Sequence, residues 1–175
     1  SFEVLFEGTG ALDGSNYVWT TDSNGIYSSS TTWFSDERMV TEGYENTFTK
    51  DFDSDGLISG GSFYQLLGDD GAVTLKRSSS SSGLNDRSSN SWNVTAAKNN
   101  STSFEVLFEG TGALDGANYV WTTDSNGIYS SSTIWLSDER MVSAGYENTF
   151  TKDFDSDGLI SGGSYYQLLG DDGAV

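Results

Sequence analysis

The sequence contains no cysteine and no histidine in its 175 residues. Without cysteine there is no disulfide framework, so stability outside the cell has to come from metal binding, packing or assembly. The absence of both residue types also removes the commonest general bases, nucleophiles and transition-metal ligands. Paired carboxylates are able to cleave glycosidic bonds, but the acidic residues of this chain fall in predicted turns and loops. We therefore expect a protein that is not an enzyme.

Basic residues are also scarce, since 8 lysines and arginines stand against 26 aspartates and glutamates, for a formal net charge of −18. Each phosphate contact needs a cation, so this balance argues against nucleic acid and against anionic membrane surfaces as partners. Divalent cations are the natural counterions. No segment has the pattern of a signal peptide or a membrane span. Because an initial methionine is lacking as well, we interpret the chain as an excerpt of a longer protein that is secreted, extracellular or held at the cell surface.

An internal repeat dominates what is present. Residues 1–73 recur as residues 103–175 at an offset of 102, and the two copies differ at six positions. The differing pairs are Ser15/Ala117, Thr32/Ile134, Phe34/Leu136, Thr41/Ser143, Glu42/Ala144 and Phe63/Tyr165. Positions expected to face solvent match as well as those expected in a core. This uniformity indicates a recent duplication and predicts further tandem copies.

The most informative segment is DFDSDGLIS, which occupies residues 51–59 and recurs at 153–161. We call these segments the first and second Asp-rich loops. Alternate aspartates followed by a glycine match the first two-thirds of a calcium loop, in which the glycine supplies the sharp turn at position six. The predicted Ca²⁺ ligands are the carboxylates of Asp51, Asp53 and Asp55, the Leu57 carbonyl and Ser59 directly or through water, repeated as Asp153, Asp155, Asp157, Leu159 and Ser161.

The closing position of the loop departs from the helix-loop-helix pattern. Where such a site carries a bidentate acid, this chain has Ser62 and Ser164. The remaining oxygens would have to come from elsewhere or from water. The alternative interpretation is an Asx-rich turn that lies in solvent without a cation.

Secondary-structure patterns predict an α+β, mainly β fold: an antiparallel sheet module with one helix leading into the calcium loop. Alternating apolar residues indicate strands at 2–7, 16–20 and 63–67, and Asn24-Gly25 is typical of a hairpin turn. Ser35 is the expected cap of the helix. The helix carries its apolar stripe at Met39, Val40, Tyr44 and Phe48.

Residues 77–102 allow two interpretations. The serine run at 78–82 and the polar residues after it are typical of a flexible linker. Trp92 and the residues up to Ala97, however, alternate as a strand does. The segment is locally basic, with Lys76, Arg77, Arg87 and Lys98 against Asp86 alone, so that it could be attracted weakly to acidic modules.

The order of motifs resembles a known family. YQLL, GAVTLK, a lone tryptophan, FEVLFEG, YVWTTDSNG, GYENTF and DFDSDGLIS follow one another as in the tryptophan-rich C-terminal repeat domain of secreted cyanobacterial calcium-binding proteins. The resemblance implies that residues 74–102 belong to the module, although a shorter loop would be expected at the serine run. It divides the chain into the C-terminal part of one module (1–59), a complete module (60–161) and the start of the next (162–175).

Two features point to sugars. Asn93, Asn99 and Asn100 each begin a glycosylation-type sequon, and plain polar loops are the alternative. The five tryptophans and nine tyrosines could stack on sugar rings, but large aromatic residues in alternating strands are more often buried. A carbohydrate-binding, lectin-like module that uses exposed Trp and Tyr is therefore the main alternative function.

The function that we expect is a non-enzymatic, extracellular, calcium-binding tandem repeat of bacterial origin. Calcium would make the modules rigid, so that they form a structural or adhesive surface array or fibre. Strand complementation would assemble them head-to-tail into a filament, because an unpaired strand edge accepts a neighbouring strand. A passive anchoring module attached to a distant enzyme is a third possibility.

Overall fold

A computed structural model describes residues 1–163, 167–170 and 173–174. Strands make up 40% of the fold and helices 17%, and the sheets are antiparallel. The expected mainly β character with a smaller helical part is confirmed. The chain divides into two compact units: unit 1 is Ser1–Ser54 with Ile58–Gly61, and unit 2 is Asp55–Leu57 with Ser62–Val175. This division passes through the first Asp-rich loop, and the module boundaries given above stay a prediction.

Unit 1 is one antiparallel sheet with two short helices. Its elements are β1 (Phe2–Glu7), β2 (Ser15–Thr21), β3 (Tyr27–Ser30), β4 (Phe34–Ser35), α1 (Asp36–Thr41) and α2 (Tyr44–Phe48). The strand order is β1-β2-β3, and β4 also pairs with β2. The predicted turn between β2 and β3 is held by Asp22, whose Oδ1 accepts hydrogen bonds from the amides of Asn24 at 2.8 Å and Ile26 at 2.9 Å. These bonds lower the pKa of Asp22.

The prediction of one helix is wrong, because the helical segment is broken into α1 and α2. Gly43 lies between them with φ of 81°, a left-handed conformation that glycine adopts without the usual steric cost. The break lets Met39 of α1 enter the core while Tyr44 and Phe48 of α2 pack against the same cluster. Ser35 occupies the expected cap position, but its hydroxyl donates to the Glu37 carboxylate at 2.7 Å and accepts no hydrogen bond from the amides of the helix.

Unit 2 contains the second copy of this arrangement and the segment that precedes it. The short strand β5 (Leu57–Ile58) lies at the division between the two units. The elements after it are β6 (Gln65–Gly68), β7 (Gly71–Thr74), β8 (Trp92–Asn99), β9 (Ser103–Gly110), β10 (Ala117–Asp124), β11 (Tyr129–Ser132), β12 (Leu136–Ser137), α3 (Asp138–Ser143), α4 (Tyr146–Phe150), β13 (Leu159–Ile160), β14 (Gln167–Gly170) and β15 (Gly173–Ala174). The main sheet has the order β11-β10-β9-β8, and β12 also pairs with β10. Strands β6 and β7 form an antiparallel hairpin in which Gly68 pairs with Gly71.

Strand β8 decides between the two interpretations of residues 77–102. It pairs antiparallel with β9 over its whole length, with an irregularity between Val94 and Ala96. Cross-strand neighbours include Lys98 and Glu105, an opposite-charge pair of the kind that stabilises a sheet modestly. The serine run forms a turn, in which the Ser81 amide donates to the Ser78 carbonyl at 3.1 Å. The linker interpretation is therefore wrong for the strand half of the segment.

Both faces of the main sheet are covered. One cluster combines Leu57, Leu66, Leu75, Val94, Ala97, Phe104, Val106, Phe108 and Trp121, and the other combines Ala96, Leu107, Val120, Met141, Phe150 and Phe154. Alternation along β9 sends Val106 and Leu107 to opposite clusters. The second cluster packs β9 and β10 against α3, α4 and the start of the second Asp-rich loop. Among the described residues, no helix combines the length and the apolar character that a membrane span requires.

Candidate metal centre

The second Asp-rich loop lies wholly in unit 2 and turns its carboxylates toward its own backbone. Asp153 Oδ2 accepts a hydrogen bond from the Gly158 amide at 2.8 Å, and Asp157 Oδ1 accepts one from the Leu159 amide at 2.8 Å. Gly158 has φ of +83°, so position six of the loop has the left-handed conformation for which glycine was expected. The segment curls as a cation loop does, although an Asx-rich turn would make the same local hydrogen bonds.

A buried glutamate distinguishes this loop from a turn lying in solvent. Glu147 is 1% exposed, and it belongs to α4, which precedes the loop. Its Oε1 accepts a hydrogen bond from the Phe154 amide at 2.9 Å. Its Oε2 accepts from the Ser161 amide at 2.9 Å and from the Ser161 hydroxyl at 2.6 Å. One side chain therefore connects the second and ninth positions of the loop and closes it.

The first copy repeats this closure inside unit 1. Glu45 is buried, and it accepts hydrogen bonds from the amides of Phe52 at 2.7 Å and Ser59 at 2.9 Å. Within the described part of the chain, the buried Ser59 hydroxyl oxygen has no hydrogen-bond partner. Its counterpart Ser161 donates to Glu147 at 2.6 Å. The local sequence therefore builds the same acidic arrangement in both copies.

Two acidic triads could hold a metal ion. Glu147, Asp153 and Asp155 each offer one carboxylate oxygen, and these oxygens lie within 4.8 Å of one another. Glu45, Asp51 and Asp53 form the equivalent triad. Calcium–oxygen distances are about 2.3–2.6 Å, so two ligands on opposite sides of one ion are separated by roughly 5 Å. The spacing of each triad therefore fits a single cation of calcium's size.

Electrostatics within the second triad also favour a cation. The pKa of Asp155 is raised, first by desolvation and then by the nearby carboxylates of Asp157, Glu147 and Asp153. Like charges held together disfavour ionisation, and a bound cation would reverse that effect. Glu147 adds a carboxylate that is almost fully buried to this group. The site therefore brings several carboxylates together, and only some of them are exposed to water.

The other predicted ligands have separate roles in the structure. Asp55 and Leu57 belong to unit 2, where Asp55 Oδ1 accepts a hydrogen bond from the Leu57 amide at 2.7 Å and Leu57 is buried in the first cluster. Asp157 and Leu159 are joined in the same way in the second copy. The Ser62 carbonyl accepts from the Asn85 side chain at 3.2 Å. Ser164 lies outside the described residues.

Glu147 was not predicted from the sequence because this residue precedes the Asp-rich loop along the chain instead of following it. A helix-loop-helix site places its bidentate acid at position twelve, after the metal loop, whereas Glu147 precedes Asp153 by six residues. A search by loop spacing does not reach it. A signal was nevertheless present, because Glu147 lies between Tyr146 and Phe150 on a short helix that faces the core.

The three predicted glycosylation positions lie on or directly after β8. Asn93 is exposed on the strand. The side-chain amide of Asn99 donates to Asp69 at 2.7 Å, and that of Asn100 donates to Glu105 at 3.3 Å. A sugar attached to either of these two nitrogens would replace one of its two hydrogens and would have to fit beside the acceptor carboxylate. Glycosylation stays a prediction at all three positions.

Unit 2 also carries an open aromatic groove of about 340 Å³. Its lining includes Arg77, Trp92, Tyr119, Trp121, Tyr129 and Trp135, together with the hydroxyl groups of Ser132 and Thr133. The largely exposed Trp135 ring lies 5.1 Å from that of Trp92, centroid to centroid. The Arg77 guanidinium lies 5.6 Å from the ring centroid of Trp121. Burial raises the pKa of Tyr119 to about 12, so this phenol stays protonated and can donate a hydrogen bond at neutral pH.

The resemblance to a calcium-binding repeat family stays a prediction, and the function has to be argued from the two acidic triads and the groove. Comparison with known proteins gives no match, since no protein-family model, no curated protein and no solved structure is significantly similar to this chain.

Proposed function

We propose that this chain is a non-enzymatic, calcium-binding part of an extracellular tandem array with a structural or adhesive role. The observation that carries the proposal is the buried Glu147, which closes the second loop and lies within 4.8 Å of the Asp153 and Asp155 carboxylates. The same set recurs as Glu45, Asp51 and Asp53. A solvent-exposed turn has no need of a buried glutamate, whereas a cation site uses such a carboxylate as a ligand.

Calcium fits the donor set better than other common metals. The triads offer oxygen ligands alone, and the chain contains no histidine or cysteine with which to favour zinc, copper or nickel. Magnesium requires near-ideal octahedral geometry and keeps most of its waters, whereas calcium accepts six to eight oxygens in flexible arrangements. Three carboxylates, a loop carbonyl and water would complete such a shell. The resulting charge compensation would stabilise the loop in a chain of net charge −18.

The structural consequence concerns the point where one module continues into the next. Within unit 2, the Ala97 amide donates to the Asp55 carbonyl at 2.7 Å, and the Leu67 amide donates to the Gly56 carbonyl at 2.9 Å. The predicted ligand Asp55 and the neighbouring Gly56 are therefore hydrogen-bonded to strands of the following predicted module. A cation that orders the loop makes this junction stiff. Repetition of the junction would give a rigid fibre.

Isothermal titration calorimetry tests the cation site, and negative-stain images test the fibre. We expect two calcium ions per chain, and loss of both in the double variant D53N/D155N. Long regular rods should be seen with calcium, and only flexible chains should remain in EGTA. A stoichiometry of zero, or calcium uptake that the double variant retains, would contradict the proposal.

A second candidate function rests on the aromatic groove. Flat indole and phenol rings next to hydroxyl groups and a guanidinium provide both the stacking surface and the hydrogen bonds that a sugar ring requires. Arg77 supplies a positive charge, so a sugar chain that carries uronic acids is the preferred ligand. On this alternative the module is a lectin-like binding unit, and calcium only stabilises it.

A glycan array printed with neutral and uronate oligosaccharides tests this candidate. Binding should be lost in W135A and kept in W33A. Trp33 is the matched control, because it is the repeat counterpart of Trp135, is also exposed, and packs on Tyr17. Absence of binding, or equal loss in both variants, would exclude the groove as a sugar site.

A further inference from the structure

Identical residues in the two copies differ sharply in exposure. Phe2 is 58% exposed, whereas its counterpart Phe104 is 2% exposed. Val4 is 39% exposed, whereas Val106 is fully buried. Residues 2–8 and 104–110 have the same sequence, so the difference comes from what surrounds each strand. We call the surface of Phe2 and Val4 the bare face of unit 1.

Residues 62–102 cover the equivalent surface in unit 2. Leu66 and Leu75 share one buried cluster with Phe104 and Val106. Strand β8 pairs with the outer edge of β9, so that β9 has a neighbour on both sides. Among the described residues, the buried cluster of unit 1 includes neither Phe2 nor Val4. Of the described strands, β2 alone pairs with β1, which leaves the edge of β1 open to another strand.

The turn between β2 and β3, and its counterpart between β10 and β11, differ in the same way. In unit 2, the Lys76 amide donates to the Gly127 carbonyl at 2.9 Å, and the Tyr129 amide donates to the Lys76 carbonyl at 2.9 Å. An added Cβ at Gly127 would lie 2.5 Å from the Thr74 carbonyl oxygen, whereas the counterpart Gly25 faces open space. A sheet face, a strand edge and a turn are thus all covered in one copy and open in the other.

The complementary surface is open at the other end of the sequence. Leu168 on β14 is 61% exposed, whereas its counterpart Leu66 on β6 is fully buried against Phe104 and Val106 in the first cluster. Charge does not strongly oppose the contact, because residues 62–102 carry four basic residues against three acidic ones, Asp69, Asp70 and Asp86, within an acidic chain. The first copy therefore displays the receiving surface, and Leu168 of the donating sequence is exposed.

We propose that the bare face, the β1 edge and the Gly25 turn of unit 1 bind a segment with the sequence of residues 62–102 from another copy of the module. The bound segment forms the cluster and the strand pairing that unit 2 makes internally. Main-chain hydrogen bonds along β1 provide affinity, and the leucine contacts provide register. The interface joins two different surfaces, so repetition gives an open head-to-tail filament rather than a closed dimer.

This inference names the partner for the array proposed above and rests on that proposal for its biological purpose. The contacts that carry it contain no cation ligand of the receiving copy. Binding can therefore be measured with calcium and with EGTA, which separates failure of docking from failure of the cation site.

The test uses the whole 175-residue chain and a synthetic peptide of residues 62–102. Titration calorimetry should give one peptide per chain in calcium and in EGTA. Val4→Asp should weaken binding by at least about tenfold, since the new carboxylate would be buried in an apolar cluster. Leu12→Asp is the matched control, because Leu12 is equally open in unit 1 and its counterpart is not a member of the cluster. A peptide with Asp at positions 66 and 75 should not bind.

Hydrogen exchange gives a second readout. Peptide binding should protect amides of β1 in the wild-type chain and in the Leu12→Asp variant, but not in the Val4→Asp variant. Absence of both binding and protection, or equal effects of the two substitutions, would overturn the docking proposal. If two calcium ions still bind in that case, the cation site stands without it.

Discussion

At the scale of single residues, the buried glutamate of each copy completes the acidic triad that could hold a metal ion. The alternate aspartates and the glycine at position six could be predicted from spacing, because loop chemistry is local. Glu147 could not be predicted that way, since its contribution depends on α4 bringing it against Phe154 and Ser161. Local sequence thus predicted part of the acidic cluster, and tertiary packing completes it.

We expect Glu147→Gln to remove one of two bound calcium ions per chain. The substitution removes the negative charge of the carboxylate. It also places a side-chain NH2 donor opposite a backbone N–H that donates to the carboxylate in the wild type. The calcium affinity of this site should therefore fall at least about tenfold. Titration calorimetry measures the change. Glu139→Gln is the matched control, because Glu139 lies exposed in the first turn of α3. Retention of both ions by the Glu147 variant would show that its carboxylate is not part of the site.

A second residue-scale prediction concerns Tyr64 at the start of the hairpin segment. Burial, and then the hydrogen bond that its hydroxyl donates to Asp86 at 2.6 Å, raise the pKa of Tyr64 to about 12 from 10.0. The folded state holds this proton more tightly than the unfolded state does. The stability that the protonated Tyr64 hydroxyl contributes is therefore complete below pH 10 and is lost as the pH rises through about 12.

Comparison of the wild type with Tyr64→Phe tests this dependence, since the other tyrosines are common to both proteins. The stability advantage of the wild type should shrink by on the order of 1 kcal/mol between mildly and strongly alkaline pH, a value reduced for the partial exposure of the ring. Urea unfolding measures it. A pH-independent difference would mean that Tyr64 has an ordinary pKa.

At the scale of elements, the loop glycines show how the same turn has different surroundings in the two copies. Gly56 and Gly158 have φ of +82° and +83°. A Cβ at Gly56 would lie 1.8 Å from the Ala97 carbonyl oxygen of β8, whereas Gly158 has open space. The first glycine therefore has both a conformational and a steric role. The second has the conformational role alone.

Alanine substitution should separate these two roles. Gly158→Ala should cost about 1 kcal/mol of unfolding free energy, the usual cost of a left-handed alanine. Gly56→Ala should cost about 2 kcal/mol more, since β8 has to move to relieve the clash. Urea unfolding in EGTA removes any contribution from metal. Equal losses in the two variants would contradict the packing of the first loop on β8.

The elements themselves were predictable to different degrees. Strands β1 and β2 alternate clearly and were predicted close to their observed bounds. The break between α1 and α2 was not, because a glycine inside an apolar stripe is compatible with a continuous helix until the core requires a turn. Strand β8 was left ambiguous because its polar neighbours resemble a linker, and only pairing with β9 shows that it belongs to the sheet.

At the scale of the whole molecule, the repeat shows why burial could not be assigned from sequence. Phe2 and Phe104 have the same neighbours along the chain, yet one is exposed and the other is buried. The difference is made by residues 62–102, which precede the second copy. A pattern of alternating apolar residues predicts which face of a strand should be covered, but not whether a covering segment is available.

The account depends most directly on calcium stabilising the folded chain, which thermal unfolding can measure. A ligand that binds only the folded state adds RT ln(1 + [L]/Kd) per site, or about 2.7 kcal/mol at a hundredfold excess over Kd. We predict that the midpoint rises by several degrees in millimolar calcium compared with EGTA, and that magnesium at matched ionic strength reproduces little of the rise. An unfolding midpoint that is the same in calcium and in EGTA would contradict the account.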